Sequence, residues 1–250
     1  IDPEKIATAL FVARDAGVVS GLPHALLAFE TIDSELLFDQ KISDGDQVSP
    51  GTIIASVSGL ARSILSAERT ALNFMCHLSG VSTLTAQFVA QIAHTDARMC
   101  CTRKTIPGLR ASQKYAVRRG GGSNHRFGLD DAILIKDNHI AVVGGITKAL
   151  EAAKAFAGHL VKIEIEVDTL DQLEEALIAG ADCVLLDNFS ADRLREAVEI
   201  NRGRAALEAS GGVKLETVKA IAESGVDYIS SSQITMSAST FDIGLDIQIR

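Results

Sequence analysis

Residues 161–188 read VKIEIEVDTLDQLEEALIAGADCVLLDN, and this stretch decides the fold class. Val161 to Val167 and Cys183 to Leu186 are apolar runs of strand length. Between them Leu170, Leu173, Ala176 and Leu177 recur at the spacing of one helical face. A strand, an amphipathic helix and a second strand make a βαβ unit, which sets the two strands parallel.

Outward from this unit the same pattern recurs at Arg98 to Thr102, Ala132 to Ile135, Ala205 to Ala209 and Tyr228 to Ser230. So many consecutive units, with right-handed crossovers, either open into a doubly wound sheet or curl into a TIM-like barrel. The residues at the ends of these runs favour the barrel: Arg103-Lys104, Lys136-Asp137, Glu166, Asp187-Asn188, Ser210-Gly211-Gly212 and Ser231-Ser232. A barrel gathers all its strand C-termini around one mouth, whereas an open sheet focuses only those beside its switch point. Residues before about 80 differ. Ala25 to Phe29, Leu36 to Phe38, Val48 and Ile53 to Val57 read as short strands with turns at Ser43-Asp44-Gly45 and Pro50-Gly51, a small α/β domain on an antiparallel sheet. A helix is expected from Ala61 to His77, broken near Ser79-Gly80.

Only 4% of the 250 residues are aromatic and none is Trp, so the core must come from Leu, Ile, Val and Ala, which suits close-packed βα units. The four cysteines, Cys76, Cys100, Cys101 and Cys183, lack metal-ligand spacing and read as reduced thiols. Thr70 to Thr95 carries no charge, but Asn73, His77, Gln87 and Gln91 among others make it too polar to span a membrane. The opening Ile1-Asp2-Pro3-Glu4-Lys5 has no basic segment before an apolar run, so no signal peptide and a cytoplasmic location are expected.

The net charge is -8, yet no acid occurs between Asp96 and Asp130, where Arg98, Arg103, Lys104, Arg110, Lys114, Arg118, Arg119 and Arg126 all fall. A local basic cluster on an acidic protein suits a small polyanion better than nucleic acid. Within it, Pro107 opens and Gly120 closes a helix, and Arg110, Lys114, Arg118 and Arg119 are expected on its exposed face. Gly120-Gly121-Gly122 then lets backbone approach a ligand closely, with His125 and Arg126 beside it. Ser210-Gly211-Gly212 precedes a helix expected near Val213, whose amides suit a phosphate. Lys136, directly after Ile133-Leu134-Ile135, is poorly explained as a solvated surface group. Glu166 and Asp187 follow consecutive strands as a pair of carboxylates, and the plain structural reading makes them salt-bridge partners of Lys104 or Lys136. Lys136 as a Schiff-base lysine of an aldolase-like barrel is a rival, as is a nucleic-acid patch.

Seven segments carry a resemblance: Glu68-Arg69-Thr70-Ala71-Leu72-Asn73, Thr102 to Arg110, Gly120 to Arg126, Leu134 to His139, Glu164 to Val167, Leu186 to Asn188, and Glu208 to Gly212. In order and spacing they resemble the successive signatures of quinolinate phosphoribosyltransferases. The resemblance implies an N-terminal α/β sandwich over 1–79, an incomplete TIM-like α/β barrel of six or seven parallel strands over 80–239, and a tail over 240–250 that can return to the first domain. It implies transfer of phosphoribosyl from phosphoribosyl pyrophosphate to quinolinate with decarboxylation, a step of NAD biosynthesis. Arg69, Arg103, His125, Arg126 and Lys136 would surround the quinolinate carboxylates. Lys104, Lys136, Glu166 and Asp187 would act at the reacting centre, with Glu166 and Asp187 near Mg²⁺. Ser210, Gly211, Gly212, Ser231 and Ser232 would take the donor phosphate. The family commonly carries a Val-Gly-Ala-Leu-Thr-His-like run where this chain has Ser231-Ser232-Gln233-Ile234-Thr235-Met236, and the departures at Ser232 and Met236 keep a related protein on the same scaffold with an altered substrate as the alternative. A homodimer is implied, with Arg69 entering the neighbouring subunit's site.

Overall fold

The computed structural model describes residues 1–249. In chain order its elements are β1 (Ile6–Ala13), β2 (Gly17–Val18), α1 (Leu22–Ile32), β3 (Leu37–Gln40), β4 (Gln47–Val48), β5 (Ile53–Leu60), α2 (Ala61–Ile92), β6 (Arg98–Cys100), α3 (Arg110–Arg119), β7 (Ile133–Ile135), α4 (Asp137–Val143), α5 (Ile146–Phe156), β8 (Ile163–Val167), α6 (Leu170–Ile178), β9 (Cys183–Asp187), α7 (Ala191–Asn201), β10 (Ala206–Ser210), α8 (Val218–Ala222), β11 (Tyr228–Ser230), α9 (Gln233–Met236) and β12 (Ile243–Ile249). They sort into two compact units. One holds Ile1–Ala86, Ile106–Gly121 and the chain from Ile234 onward; the other holds Gln87–Thr105 and Gly122–Gln233. The two units interleave along the chain. Of the expected tail, residues 243–249 form β12, antiparallel to β1, and residue 250 lies outside the described residues.

The first unit is built on the antiparallel sheet β12-β1-β5-β3. Ala7, Ala9 and Phe11 of β1 pack into a core with Phe29, Ile54, Val57, Ile64 and Met75. Ala25 to Phe29, expected as a strand, lies in α1. The reason is visible in its spacing: Leu22, Ala25 and Phe29 form one buried helical stripe, and a proline occupies the first turn. The Asp44 carboxylate also accepts the amides of Gly21 at 2.9 Å and Leu22 at 3.1 Å, satisfying donors that a helix start leaves open.

Helix α2 passes without a break through Ser79-Gly80. A Cβ on Gly80 would stand 2.0 Å from the Ser239 carbonyl oxygen, so the glycine serves a close backbone approach and not a turn. The nearby hydroxyls are satisfied: Ser79 Oγ donates to the Ser20 carbonyl at 3.1 Å and Ser82 Oγ to the Ala116 carbonyl at 2.8 Å. Helix α3 starts at Arg110, three residues later than Pro107 implied, because Pro107 and Gly108 form a turn. Lys114, expected on its exposed face, is buried.

The second unit is a parallel sheet of order β6-β11-β10-β9-β8-β7, with helices between the strands. Its edges β6 and β7 do not pair with each other, so the six strands form an incomplete α/β barrel. Ser123 occupies part of the free edge of β6: its amide donates to the Met99 carbonyl at 2.8 Å and its carbonyl accepts the Cys101 amide at 3.2 Å. Ile163, Ile165 and Val167 of β8 and Val184 and Leu186 of β9 are buried on one face. The alternate residues belong to the other face, and parallel register aligns them: Glu164 with Cys183, Glu166 with Leu185, Leu185 with Glu208, and Asp187 with Ser210. The helix expected near Val213 begins only at Val218 and has five residues.

Replacing Gly80 by Ala should lower stability by about 1 to 3 kcal/mol despite the better helix propensity, because the obstacle is backbone. Chemical denaturation of the two proteins checks this; equal or higher stability for Gly80→Ala would mean that Ser239 does not pack against α2 as described.

Candidate active site

One face of the barrel sheet gathers charged residues near the strand ends. At the end of β7 the Lys136 ammonium meets Glu166 of β8 at 2.5 Å, and the Lys136 amide donates to His139 Nδ1 at 2.9 Å. Asp187 ends β9, where its Oδ2 accepts from the Asn188 side chain at 2.6 Å. Asn188 has a left-handed backbone with φ of 56°, and its amide donates to the Ser210 carbonyl at 2.9 Å. That turn presses on Gly211, where a Cβ would lie 2.2 Å from Asn188 Oδ1. Gly211 and Gly212 both have positive φ, so the end of β10 is shaped by residues that only glycine supplies without strain.

The segment after Ser123 brings His125 and Arg126 to this face. His125 Nε2 donates to Glu164 Oε2 at 2.9 Å, with Glu208 Oε1 3.7 Å away, and its Nδ1 accepts the Arg126 amide at 2.8 Å. Cys183 Sγ donates to the other oxygen of Glu164 at 3.4 Å. Arg126 Nη1 donates to the Ala132 carbonyl at 3.1 Å. Burial, and then the charge of Arg103, lower the Arg126 pKa. Two guanidiniums that repel each other make a site for an anion that neutralises both.

Burial opposes protonation of His125, but the Glu164 hydrogen bond and the charges of Glu208 and Glu164 outweigh it and raise its pKa. Glu208 is pushed up to about 7, first by burial and then by Glu164, against the opposing pull of His125 and Ser230. Burial likewise pushes the Cys183 thiol far up, so it is inert as a nucleophile. His125, Glu164 and Glu208 have the composition of a metal site. Their hydrogen bonding argues otherwise, because a ligating imidazole normally donates its second N–H, whereas Nδ1 here accepts one.

The sequence supplies the decisive comparison. Residues 81–246 match the family model for the quinolinate phosphoribosyl transferase C-terminal domain, and residues 1–79 match the model for its N-terminal domain. The chain belongs to the quinolinate phosphoribosyltransferase family. It is 43% identical over 249 residues to the nicotinate-nucleotide pyrophosphorylase (carboxylating) of Mycobacterium leprae, covering 97% of this chain and 87% of that one. The probable enzyme of the same name from Bacillus subtilis is 42% identical over 246 residues, covering 98% and 85%. Among solved structures, NadC from Streptococcus pyogenes superimposes with a TM-score of 0.96 at 39% identity, covering all of this chain and 89% of that one.

Of the residues singled out from the quinolinate phosphoribosyltransferase signatures, Arg103, Lys104, His125, Arg126, Lys136, Glu166, Asp187, Ser210, Gly211, Gly212, Ser231 and Ser232 all belong to the barrel unit. Arg69 is exposed on α2 in the first unit, and among the described residues no ion pair joins it to Glu68 or Glu30. The basic stretch divides: Arg110, Lys114, Arg118 and Arg119 fall in the first unit, Arg98, Arg103, Lys104 and Arg126 in the second. The Ser231 hydroxyl donates to the Val213 carbonyl at 3.1 Å and accepts the Gln233 amide at 3.2 Å, so it braces the strand end. Glu164 and Glu208 lie inside signature segments without a role read from the sequence, although the Glu-Ile-Glu alternation puts Glu164 on the face of Glu166.

Because Glu208 and His125 both bind protons more tightly when folded, the native state holds more protons than the unfolded chain between about pH 4.5 and 7. Their contribution to stability is therefore present at low pH and is lost as pH rises through the folded pKa values. Glu208→Gln should flatten this decline, measured by denaturation at pH 5 and pH 8; an unchanged slope would mean that Glu208 titrates normally.

Proposed function

We propose that this protein transfers the phosphoribosyl group of phosphoribosyl pyrophosphate to quinolinate and promotes loss of the 2-carboxylate, yielding nicotinate mononucleotide, pyrophosphate and carbon dioxide. The observation that supports this is that Lys136, Glu166 and Asp187 follow or end adjacent parallel strands, with Arg126 close enough to Arg103 to feel its charge, in a chain of this family. Arg103, Arg126 and Lys136 supply the positive charge for two carboxylates, with His125 among them and Arg69 as a further cation. Quinolinate would enter by exchanging its carboxylate for Glu166 at the Lys136 ammonium. Lys104 stands beside Arg103 at the β6 end, suited to the developing charge on the leaving pyrophosphate.

The pyridine nitrogen attacks the anomeric carbon as the bond to pyrophosphate oxygen breaks. Glu166 and Asp187 favour the positive charge that develops on the ribose. In the second step the bond from C2 to the carboxyl carbon breaks, its electron pair drawn toward the positive ring nitrogen, and C2 takes up a proton. No covalent nucleophile is required, and orientation with preorganised charge supplies the acceleration. The ion-paired Lys136 ammonium does not suit Schiff-base chemistry, which needs a neutral amine.

Glu166 Oε2 and Asp187 Oδ2 are engaged by Lys136 and Asn188, leaving one oxygen on each carboxylate. Two such hard donors fit Mg²⁺, which keeps waters and substrate phosphates as its other ligands. When bound, Mg²⁺ would neutralise charge on the departing pyrophosphate. The turns at Gly211-Gly212 and at Ser232 are assigned to the donor phosphate through backbone amides, whereas the Ser231 amide donates to the Cys100 carbonyl at 3.1 Å and holds the strand end in place. Among the described residues no helix is long and apolar enough to cross a membrane. We assign the protein to the cytoplasm, with neither nucleic acid nor membrane as partner.

Quinolinate-dependent release of pyrophosphate and carbon dioxide tests the activity, and its absence from folded protein supplied with Mg²⁺ would overturn it. Arg126→Ala and Lys136→Ala should each weaken quinolinate binding by about 2 to 5 kcal/mol while changing donor binding much less; calorimetry showing wild-type quinolinate affinity would remove them from the dicarboxylate site.

The proposal includes a homodimer in which Arg69 reaches the neighbouring subunit's pocket. Mixing inactive Arg69→Ala with inactive Lys136→Ala should restore activity, because one site of a mixed dimer inherits both lesions and the other neither. Mixed dimers that stay inactive would place Arg69 in its own subunit's site or outside any site.

A further inference from the structure

Two carboxylates that the catalytic scheme leaves unused lie beneath His125. Glu164 is buried near the start of β8 and Glu208 in the middle of β10, on the sheet face that carries Glu166 and Asp187. Burying two acids beside each other is costly, and a sheet interior is more stably filled by Leu or Val. Their arrangement is directional. Glu164 accepts from His125 at Oε2 and from Cys183 at Oε1, so both of its oxygens are engaged and its carboxylate is fixed from two sides. The imidazole is in turn held at both ends, with Nε2–H toward Glu164 and Nδ1 receiving the Arg126 amide. Arg126 is the next residue along, and its Nη1 is anchored on the Ala132 carbonyl just before β7.

We propose that Glu164 is a positioning residue for quinolinate: by holding the His125 ring from within the sheet it fixes the main chain at Arg126, and so the direction in which that guanidinium meets a carboxylate. Glu208, whose Oε1 has no hydrogen-bond partner among the described residues, closes the space behind the ring at 3.7 Å from Nε2, too far to replace Glu164 as the acceptor. Glu164 touches neither substrate in this scheme. It acts on one substrate only, because the segment it holds belongs to the dicarboxylate side and not to the donor side at Gly211-Gly212. The inference rests on the proposed function for its substrate and on hydrogen bonding alone for its geometry.

Two substitutions separate positioning from general structural support. Glu164→Leu removes the acceptor, and Glu164→Gln keeps an acceptor oxygen in nearly the same shape. Calorimetry on the folded proteins should show quinolinate binding about tenfold or more weaker for Glu164→Leu, with phosphoribosyl pyrophosphate binding unchanged within about twofold and most of the loss recovered in Glu164→Gln. Equal weakening of both substrates, or undiminished quinolinate binding in Glu164→Leu, overturns the proposal. If Glu164→Leu does not fold, nitrogen-15 spectra of the histidine-labelled wild-type protein at alkaline pH decide, with His125 assigned by its loss in His125→Asn. An Nε2–H tautomer with unprotonated Nδ1 supports the inference, and an Nδ1–H tautomer overturns it. A wild-type protein that binds no quinolinate overturns the functional proposal itself, whereas wild-type binding with an indifferent Glu164→Leu overturns only this inference.

Discussion

The parallel register of the six-stranded sheet is the constraint on which the rest depends. Once β8, β9 and β10 run parallel with Glu166 beside Leu185 and Leu185 beside Glu208, alternation dictates that Glu164, Glu166, Asp187, Glu208 and Ser210 share a face. No turn or cap has to place them. A slip of one residue in any strand would exchange its acids for the aliphatic residues now packed on the other face, leaving charges against the helices and a mouth lined with Ile and Val. The chemistry and the core therefore enforce the same register.

That arrangement puts acids where they are hard to keep, and the structure resolves the conflict differently at two depths. Near the strand ends the acids are partly solvated and paired: Glu166 with Lys136, Asp187 with Asn188. Deeper in the sheet no Lys or Arg pairs with Glu164 or Glu208 among the described residues, and an imidazole, a thiol and a raised carboxyl pKa take the place of cations. The open seam between β6 and β7 makes this possible, since Ser123 binds the free edge of β6 and the residues after it carry His125 inward. A closed barrel would have no such opening.

Much of this was legible from residue order. The six barrel strands lie within one or two residues of the apolar runs in the sequence, because the strands of a parallel sheet are covered on both faces and read as short apolar runs. The first unit was less legible, for local reasons. Ala25 to Phe29 is apolar enough for a strand, and only the spacing to Leu22 and the remote carboxylate of Asp44 make it a helix start. Gly80 looks like a helix break because the cause of the glycine, the carbonyl of Ser239, lies 159 positions away along the chain. Lys114 reads as a surface charge from a sequence that does not reveal its burial. In the site, the charged residues at strand ends were legible because a barrel gives them a common destination. The contacts of Glu164 and Glu208 with His125 were not, because a loop that carries no periodic signal brings His125 beside them.

The central claim is that the strand-end cations form one pocket for a planar dicarboxylate. A crystal structure of the protein with quinolinate bound tests it most directly. The account predicts both carboxylates within hydrogen-bonding distance of Arg103, Arg126 and Lys136, with Glu166 released from the Lys136 ammonium. Quinolinate found elsewhere, for example at the N-terminal ends of the barrel strands, with the Lys136 and Glu166 pair intact, would contradict it.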